Sequence, residues 1–402
     1  MMKNILFIFT LLISFLVSSQ ENNLIKALHE DGFENLQSFT AAETLYLSYE
    51  NNRYRFQGRG LAEVLKIASK EVSGLVKDLV VLIKYKDIPV TVVKTDLETL
   101  KKYVSGAVSY EAWAIQASFS LSTDKVYAKF EGQETVNSSF YKADIPVGVN
   151  LEYALGDFTD GVKIDLNLTP ELRTVLGKGL TASFEYHTRV ANDLNEYNYS
   201  SPNVLKASQD IRLSENKFLS FNFGYFSSQR FGLNVRYLNY VLEERLAFHM
   251  NYGLTQFAYL NEDLELKYNT FERQIYSAGL TYRINKFDTD ISAEYGKYLE
   301  FDIGYKVSVQ RQFNEVFIGF FFTKTNSGEN LGFNFQVPFF GNKYLKPNRV
   351  RVRPGDQFIL DYNYSGSNDV GSTYNTGENF QNNLKEFYPQ ILKKSLKKIL
   401  TQ

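Results

Sequence analysis

The chain has 402 residues, 44 Lys and Arg against 45 Asp and Glu, and no cysteine. A formal net charge of −1 argues against a nucleic-acid partner, and an exported chain without cysteine must be held by packing and backbone pairing, not disulfides. Aromatics set the composition apart, with 28 Tyr and 33 Phe beside one Trp and eight Pro, an excess that favours strands over helices.

Residues 1–19 read as a secretory signal peptide. Lys3 supplies a short positive region, and Ile5 to Val17 is an apolar run shorter than the ~20 residues a spanning helix needs. Val17-Ser18-Ser19 provides the small residues of a cleavage site before Gln20. No cysteine follows it, so a lipoprotein anchor is not expected. Residues 20–39 form an N-terminal segment to which the pattern assigns no element.

A small α/β module, ββαββα, is expected over residues 40–108. "ETLYLSYENNRYRFQGRG" reads as two short strands around an Asn51-Asn52 turn. Leu61, Val64, Leu65, Ala68 and Val72 then recur at helical spacing. Leu79–Tyr85 and Pro89–Lys94 read as strands across a Lys86-Asp87 turn. Thr95-x-x-Glu98 reads as a capping box opening a helix with Leu97, Leu100 and Val104 on its face.

From residue 112 to 365 helical periodicity is almost absent. Ile115, Ala117, Phe119 and Leu121 alternate with polar residues, and so do Val147 to Tyr153, Val162 to Leu168 and Leu180 to Tyr186. The alternation continues through "FLSFNFGYFSSQRFGLNVRYLNY", where Leu219, Phe221, Phe223 and Tyr225 share one face and Ser220, Asn222 and Gly224 the other. It runs on through Leu246–Leu254, Tyr276–Tyr282, Phe301–Val309, Val316–Phe322 and Phe333–Val337, and a last candidate carries Phe358, Leu360, Tyr362 and Tyr364. About 12–16 segments of about 8–11 residues match tilted membrane strands, whereas strands of water-soluble proteins average about 5–6. The expected fold is therefore mainly β: an antiparallel transmembrane barrel of about 12–16 strands behind a small N-terminal α/β domain. A large soluble β-sandwich is the alternative. Residues 366–402 read as a C-terminal tail with an amphipathic helix, Ile391, Leu392, Leu396, Ile399 and Leu400 opposing lysines. It could lie on a rim, touch anionic headgroups or dock a partner.

Enzymatic motifs are absent: no G-x-S-x-G, Walker loop, H-E-x-x-H or paired cysteines. His29, His187 and His249 are isolated in sequence, although the last two fall on polar faces of separate strands. No catalytic residue, metal ligand or cofactor is expected. "RVRVRPGD" places Arg349, Arg351 and Arg353 on one face of a strand, where guanidiniums can engage carboxylates or phosphates of an acidic polysaccharide or lipopolysaccharide headgroup. A solvated basic edge strand is the plainer alternative. Arg236, projecting beside Asn234, is the fourth candidate contact.

The order of these features resembles the YjbH/GfcD-type outer-membrane proteins encoded with exopolysaccharide and group 4 capsule genes. The resemblance rests on the helix and strand pair of residues 60–106, on Pro170, Leu172 and Arg173, and on Gly224, Phe231, Gly232, Val235 and Tyr237. Its most specific stretch contains Gly296-Lys297-Tyr298-Leu299, Arg311, Phe313, Gly319 and Pro338. The resemblance implies location in the outer membrane of a Gram-negative bacterium, with the module in the periplasm, and a role in exopolysaccharide or capsule production, export or surface attachment. Polysaccharide, outer-membrane lipid and periplasmic secretion-machinery proteins are the expected partners. A general channel for small solutes or lipids and a structural or adhesive barrel are the alternatives; the second needs long loops, and only Asn192 to Asn203 looks long enough.

Overall fold

The computed structural model describes residues 21–72, 76–157, 161–194, 200–260, 265–339, 341–364 and 370–400. The expected signal peptide lies outside them, as does the centre of the Asn192–Asn203 loop. The chain forms two compact units. The first runs to Phe140 and takes in Asn342–Asn348 and Gln381–Gln402; the second comprises Tyr141–Gly341 and Arg349–Phe380.

In the first unit, helix α1 (21–31) precedes β1 (Glu34–Ala41), β2 (Thr44–Glu50), α2 (Gln57–Glu71), β3 (Asp78–Tyr85), β4 (Ile88–Asp96), α3 (Leu97–Val104), α4 (Tyr110–Gln116), β5 (Ser118–Ser120) and α5 (Asp124–Tyr127). The strands form one sheet in the order β1-β2-β3-β4-β5. β2 and β3 are parallel, as the α2 crossover between them requires. Leu79 to Lys84 are buried without interruption, the pattern of a central strand covered on both faces. Lys86 and Asp87 make the expected turn, both with positive φ (50° and 60°).

Three local expectations change. The hairpin turns at Ala42-Glu43, with β1 drawn from the segment left unassigned; Asn51 instead makes an Asx turn, its Oδ1 accepting from the N–H of Arg53 (3.2 Å) and Tyr54 (2.8 Å). Asp96, not Thr95, caps α3, accepting from Thr99 N at 2.7 Å. The Thr95 hydroxyl accepts from Trp113 Nε1 at 2.8 Å. Residues 110–116 are helical, not extended. Ser109 caps them, and Trp113 is fully buried with its ring stacked 5.1 Å from that of Tyr103. Four alternating residues from Ile115 were too few to distinguish a strand from this helix and the short β5.

The C-terminal helices are α6 (Phe380–Lys385) and α7 (Pro389–Leu400). Two leucines of the expected amphipathic face of α7 pack inside the first unit. Leu392 and Leu396 are fully buried, and Tyr110 donates to Lys393 O at 2.7 Å. A Cβ on Gly58 of α2 would lie 2.3 Å from Ser395 Cβ, so only glycine permits this helix approach.

The second unit is one sheet of β6 (Ala143–Asp157), β7 (Gly161–Gly177), β8 (Leu180–Asn192), β9 (Ser201–Ser214), β10 (Lys217–Phe226), β11 (Arg230–Val241), β12 (Leu246–Leu260), β13 (Leu266–Ile284), β14 (Thr289–Lys297), β15 (Ile303–Phe313), β16 (Val316–Thr325), β17 (Gly328–Pro338), β18 (Val350–Pro354) and β19 (Gln357–Asn363). Its order is β18, then β6 through β17 in sequence, then β19. Every pairing is antiparallel except β18 with β6. The expected closed barrel is not what the hydrogen bonds draw: β18 and β19 are the two edges. They are halves of one extended segment broken at Gly355-Asp356, pairing with β6 before the break and with β17 after it. Tyr153 of β6 nonetheless stacks 6.2 Å from Tyr362 of β19.

Burial on this sheet is inverted relative to a water-soluble protein. On β10, Phe221 and Phe223 are exposed while Ser220 and Asn222 are buried. The same holds for Leu205 against Lys206 and Ser208, and for Leu254 against Thr255. Tyr225 departs from its expected place with the exposed apolar residues and is 5% exposed. Gly224 and Gly232, directly paired, have φ of 146° and 156°; a Cβ on either would meet a neighbouring strand's carbonyl oxygen at 2.2 Å. No described helix is long and apolar enough to cross a membrane.

Candidate functional site

Many polar side chains of β7 to β18 point to the buried face of the large sheet, and several pair with one another there. Arg189 on β8 donates to Asp165 on β7 at 2.8 Å, and Arg283 on β13 to Asp290 on β14 at 3.1 Å. Ser208 on β9 donates to Asn222 on β10 at 2.8 Å. Strand alternation brings such residues to one face, and cross-strand register makes them neighbours.

A strap formed by residues 370–380 lies on this face. Gly371 N donates to Asp302 (2.8 Å), and Leu299 N to Ser372 O (3.0 Å). Tyr374 stacks on Phe226 with ring centroids 5.3 Å apart and accepts from Asn234 Nδ2 at 3.2 Å. Phe226, Ile275, Leu299 and Tyr374 make an apolar cluster within the polar face. Farther along, Arg236 Nη1 donates to Glu378 O at 2.7 Å, and Lys206 lies 3.8 Å from the Glu378 carboxylate. A Cβ on Gly253 would fall 1.8 Å from the Tyr374 hydroxyl, so the strap requires glycine there.

The four arginines singled out by sequence separate into three situations. Arg351 and Arg353 share the buried face of β18. Both bind Asp144 of β6, at 2.6 and 3.0 Å, and Arg353 also binds Asp356 at 2.8 Å. These pairs hold the parallel β18–β6 junction and form neither an open guanidinium row nor a solvated edge. Arg349 precedes the strand and is exposed, its carbonyl accepting from Ala143 N. Arg236 lies beside Asn234 as expected and holds the strap. His187 and His249 sit on β8 and β12 with β9, β10 and β11 between them. Each has its own carboxylate: Glu185 at 3.3 Å and Glu294 at 3.6 Å. Among the described residues no group of acidic and histidine side chains could hold a metal ion.

The strap residues went unnoticed in sequence because "VGSTYNTGEN" has neither period. A lone Tyr374 in that polar run is its one signal of a buried anchor.

This β-rich architecture can be compared with known proteins. A family model described as exopolysaccharide biosynthesis protein YbjH matches residues 16–212 and 203–339. The chain belongs to the YjbH family. Membership connects it with exopolysaccharide production. The YjbH match covers β1 to β17 and stops before β18, β19, the strap and α7. No curated protein matches the chain.

Proposed function

We propose that the second unit is an outer-membrane β-barrel that assists exopolysaccharide export or surface attachment, with the first unit in the periplasm docking secretion machinery. The observation that carries this is the inverted burial. Phe223 is 57% and Phe320 64% exposed, while Asn234 and Ser208 are 0% and 1% exposed. A contiguous apolar outer face with a polar interior suits lipid outside and water or sugar within.

Strand parity supports closure. The twelve successive strands β6 to β17 alternate in direction, so a thirteenth antiparallel to β17 must run parallel to β6. The segment 350–363 has both pairings and is taken as that single closing stave. An odd number of staves delivers the chain to the end opposite the start of β6. The strap then returns through the lumen. Short turns such as Lys178-Gly179 and Glu215-Asn216 share the end where β6 begins, consistent with a periplasmic rim.

A barrel so occupied is not built as a general solute channel; polar groups of the lumen offer hydroxyl and amide partners to sugar. Cell fractionation combined with heat-modifiable gel mobility tests barrel and location together. Loss of the gene is expected to reduce secreted polysaccharide while its synthesis continues. Unchanged export would count against the role, and soluble fractionation against the barrel.

A further inference from the structure

One end of the polar face carries two buried guanidiniums, those of Arg230 and Arg273. Arg230 opens β11, directly after the 227–229 turn, and Arg273 lies on β13. Thr255 of β12 sits between these strands, its direct partners being Gly232 and Arg273. The two guanidiniums are 5% and 8% exposed, and both bind one carboxylate, Glu300, at 3.5 and 3.1 Å. Among the described residues, the ionisable groups acting on Arg230 are Glu300, Arg273 and the Tyr374 phenol. Glu300 is the carboxylate that both guanidiniums contact.

The hydrogen bonding is incomplete. Among the described residues, Arg230 Nε and Nη1 and Thr255 Oγ1 are buried with no hydrogen-bond partner. Buried donors in native proteins are nearly always met, so unmet ones on adjacent strands of one face point to a missing acceptor. Glu300 reaches Arg230 through a single contact, Nη2 to Oε1, and leaves the planar fork of the guanidinium unused, although that fork fits a carboxylate with two parallel bonds.

Glu300 has features of a stand-in. Its side chain is 55% exposed while the cations beneath it are buried, so the site is approached from where Glu300 stands. Glu300 and Phe301 have φ of 56° and 62°, a left-handed pair that side-chain-bearing residues seldom adopt. The Phe301 ring, 57% exposed, lies 4.2 Å from the Arg273 guanidinium and offers an apolar face beside the charge.

We infer that Arg230, Arg273 and Thr255 form a carboxylate subsite for a uronic-acid residue of an acidic polysaccharide, which displaces the Glu300 carboxylate, with Phe301 against the sugar ring. The inference rests on the exopolysaccharide role and narrows it to acidic polymers. Exchanging one carboxylate for another keeps the local charge unchanged, so each contact is weak and a polymer gains from repetition.

The test uses full-length protein purified in detergent, with a galacturonic-acid oligosaccharide as probe, a dextran oligosaccharide of equal length as neutral control and inorganic phosphate as competitor. Wild type is expected to bind the galacturonate and not the dextran, more weakly as salt rises. Arg230→Gln should weaken binding about 10-fold or more, as for loss of a buried charged partner. Glu300→Gln, a change at an exposed side chain, should strengthen binding several-fold. Equal binding of dextran, an unaffected Arg230→Gln, or unchanged or weaker binding by Glu300→Gln would overturn the subsite. Phosphate competing as well as galacturonate would overturn its carboxylate assignment. Binding in detergent is independent of cellular location: a protein that fractionates with the outer membrane yet ignores galacturonate sinks this inference alone.

Discussion

Glu50 shows how one side chain can couple the first unit to pH. It is 3% exposed at the end of β2 and accepts from the N–H groups of Lys86 (2.9 Å) and Asp87 (3.0 Å). Burial pushes its carboxyl above the usual carboxylate range, against the downward pull of those donors. A carboxyl with a raised folded pKa holds its proton more tightly in the native state. Its favourable contribution is therefore complete below the unfolded value near 4.5 and is lost as pH rises through the folded value. Glu50→Gln should flatten the dependence of unfolding on pH in that window. The chain's one tryptophan, Trp113, is buried in the first unit, so its fluorescence during thermal unfolding reports on that unit. An unchanged pH slope in the variant would remove Glu50 from the account. Two nearby residue assignments were missed in sequence for a related reason: Asn51 and Thr95 both have side chains able to serve a turn, a cap or a tertiary partner, and spacing does not choose among these.

At the scale of elements, α7 and the strap carry consequences that periodicity did not reveal. The helical spacing of α7 was legible, but not the surface it would cover. Ending the chain before Pro389 should destabilise the first unit by about 3–6 kcal/mol from Leu392 and Leu396 alone, at about 1.5–3 kcal/mol per fully buried leucine. Trp113 fluorescence would show this as a lowered unfolding midpoint; an unchanged midpoint would mean α7 adds nothing. For the strap, Gly253→Val places a branched side chain where the Tyr374 hydroxyl now lies. If the sheet closes around the strap as proposed, this variant reconstituted in planar bilayers should conduct more than wild type. Equal low conductance in both would show that something other than the strap blocks the path.

For the whole molecule, the deciding question is which solvent faces the apolar side of the large sheet. Phe223→Arg separates the possibilities. On a lipid-facing strand near mid-membrane, the charge should cost about 2–4 kcal/mol of folding free energy in bilayers. On a water-exposed sheet the same change should stay within about 0.5 kcal/mol. Folding titrations in lipid vesicles and thermal unfolding in detergent-free buffer would distinguish the two. Much of this sheet was legible in advance, because a period of two assigns each side chain to a face without knowledge of the partner strand. The 15-residue β12 was read only over Leu246–Leu254, since pairing with a neighbour keeps the chain extended beyond the clear alternation. Arg351 and Arg353 were placed on a common face correctly, yet their partner Asp144 lies some two hundred positions earlier.

Sequence alone determined the alternation, most of the strands between β6 and β17 and the family, because each is written in local spacing or in an ordered set of motifs. Tertiary structure decided the rest: the parallel β18–β6 junction, the strap on the polar face, the return of α7 to the first unit and the two arginines sharing Glu300. The physical reason is that periodicity fixes only the direction in which a side chain points. What it meets there depends on contacts between distant segments, which carry no period of their own.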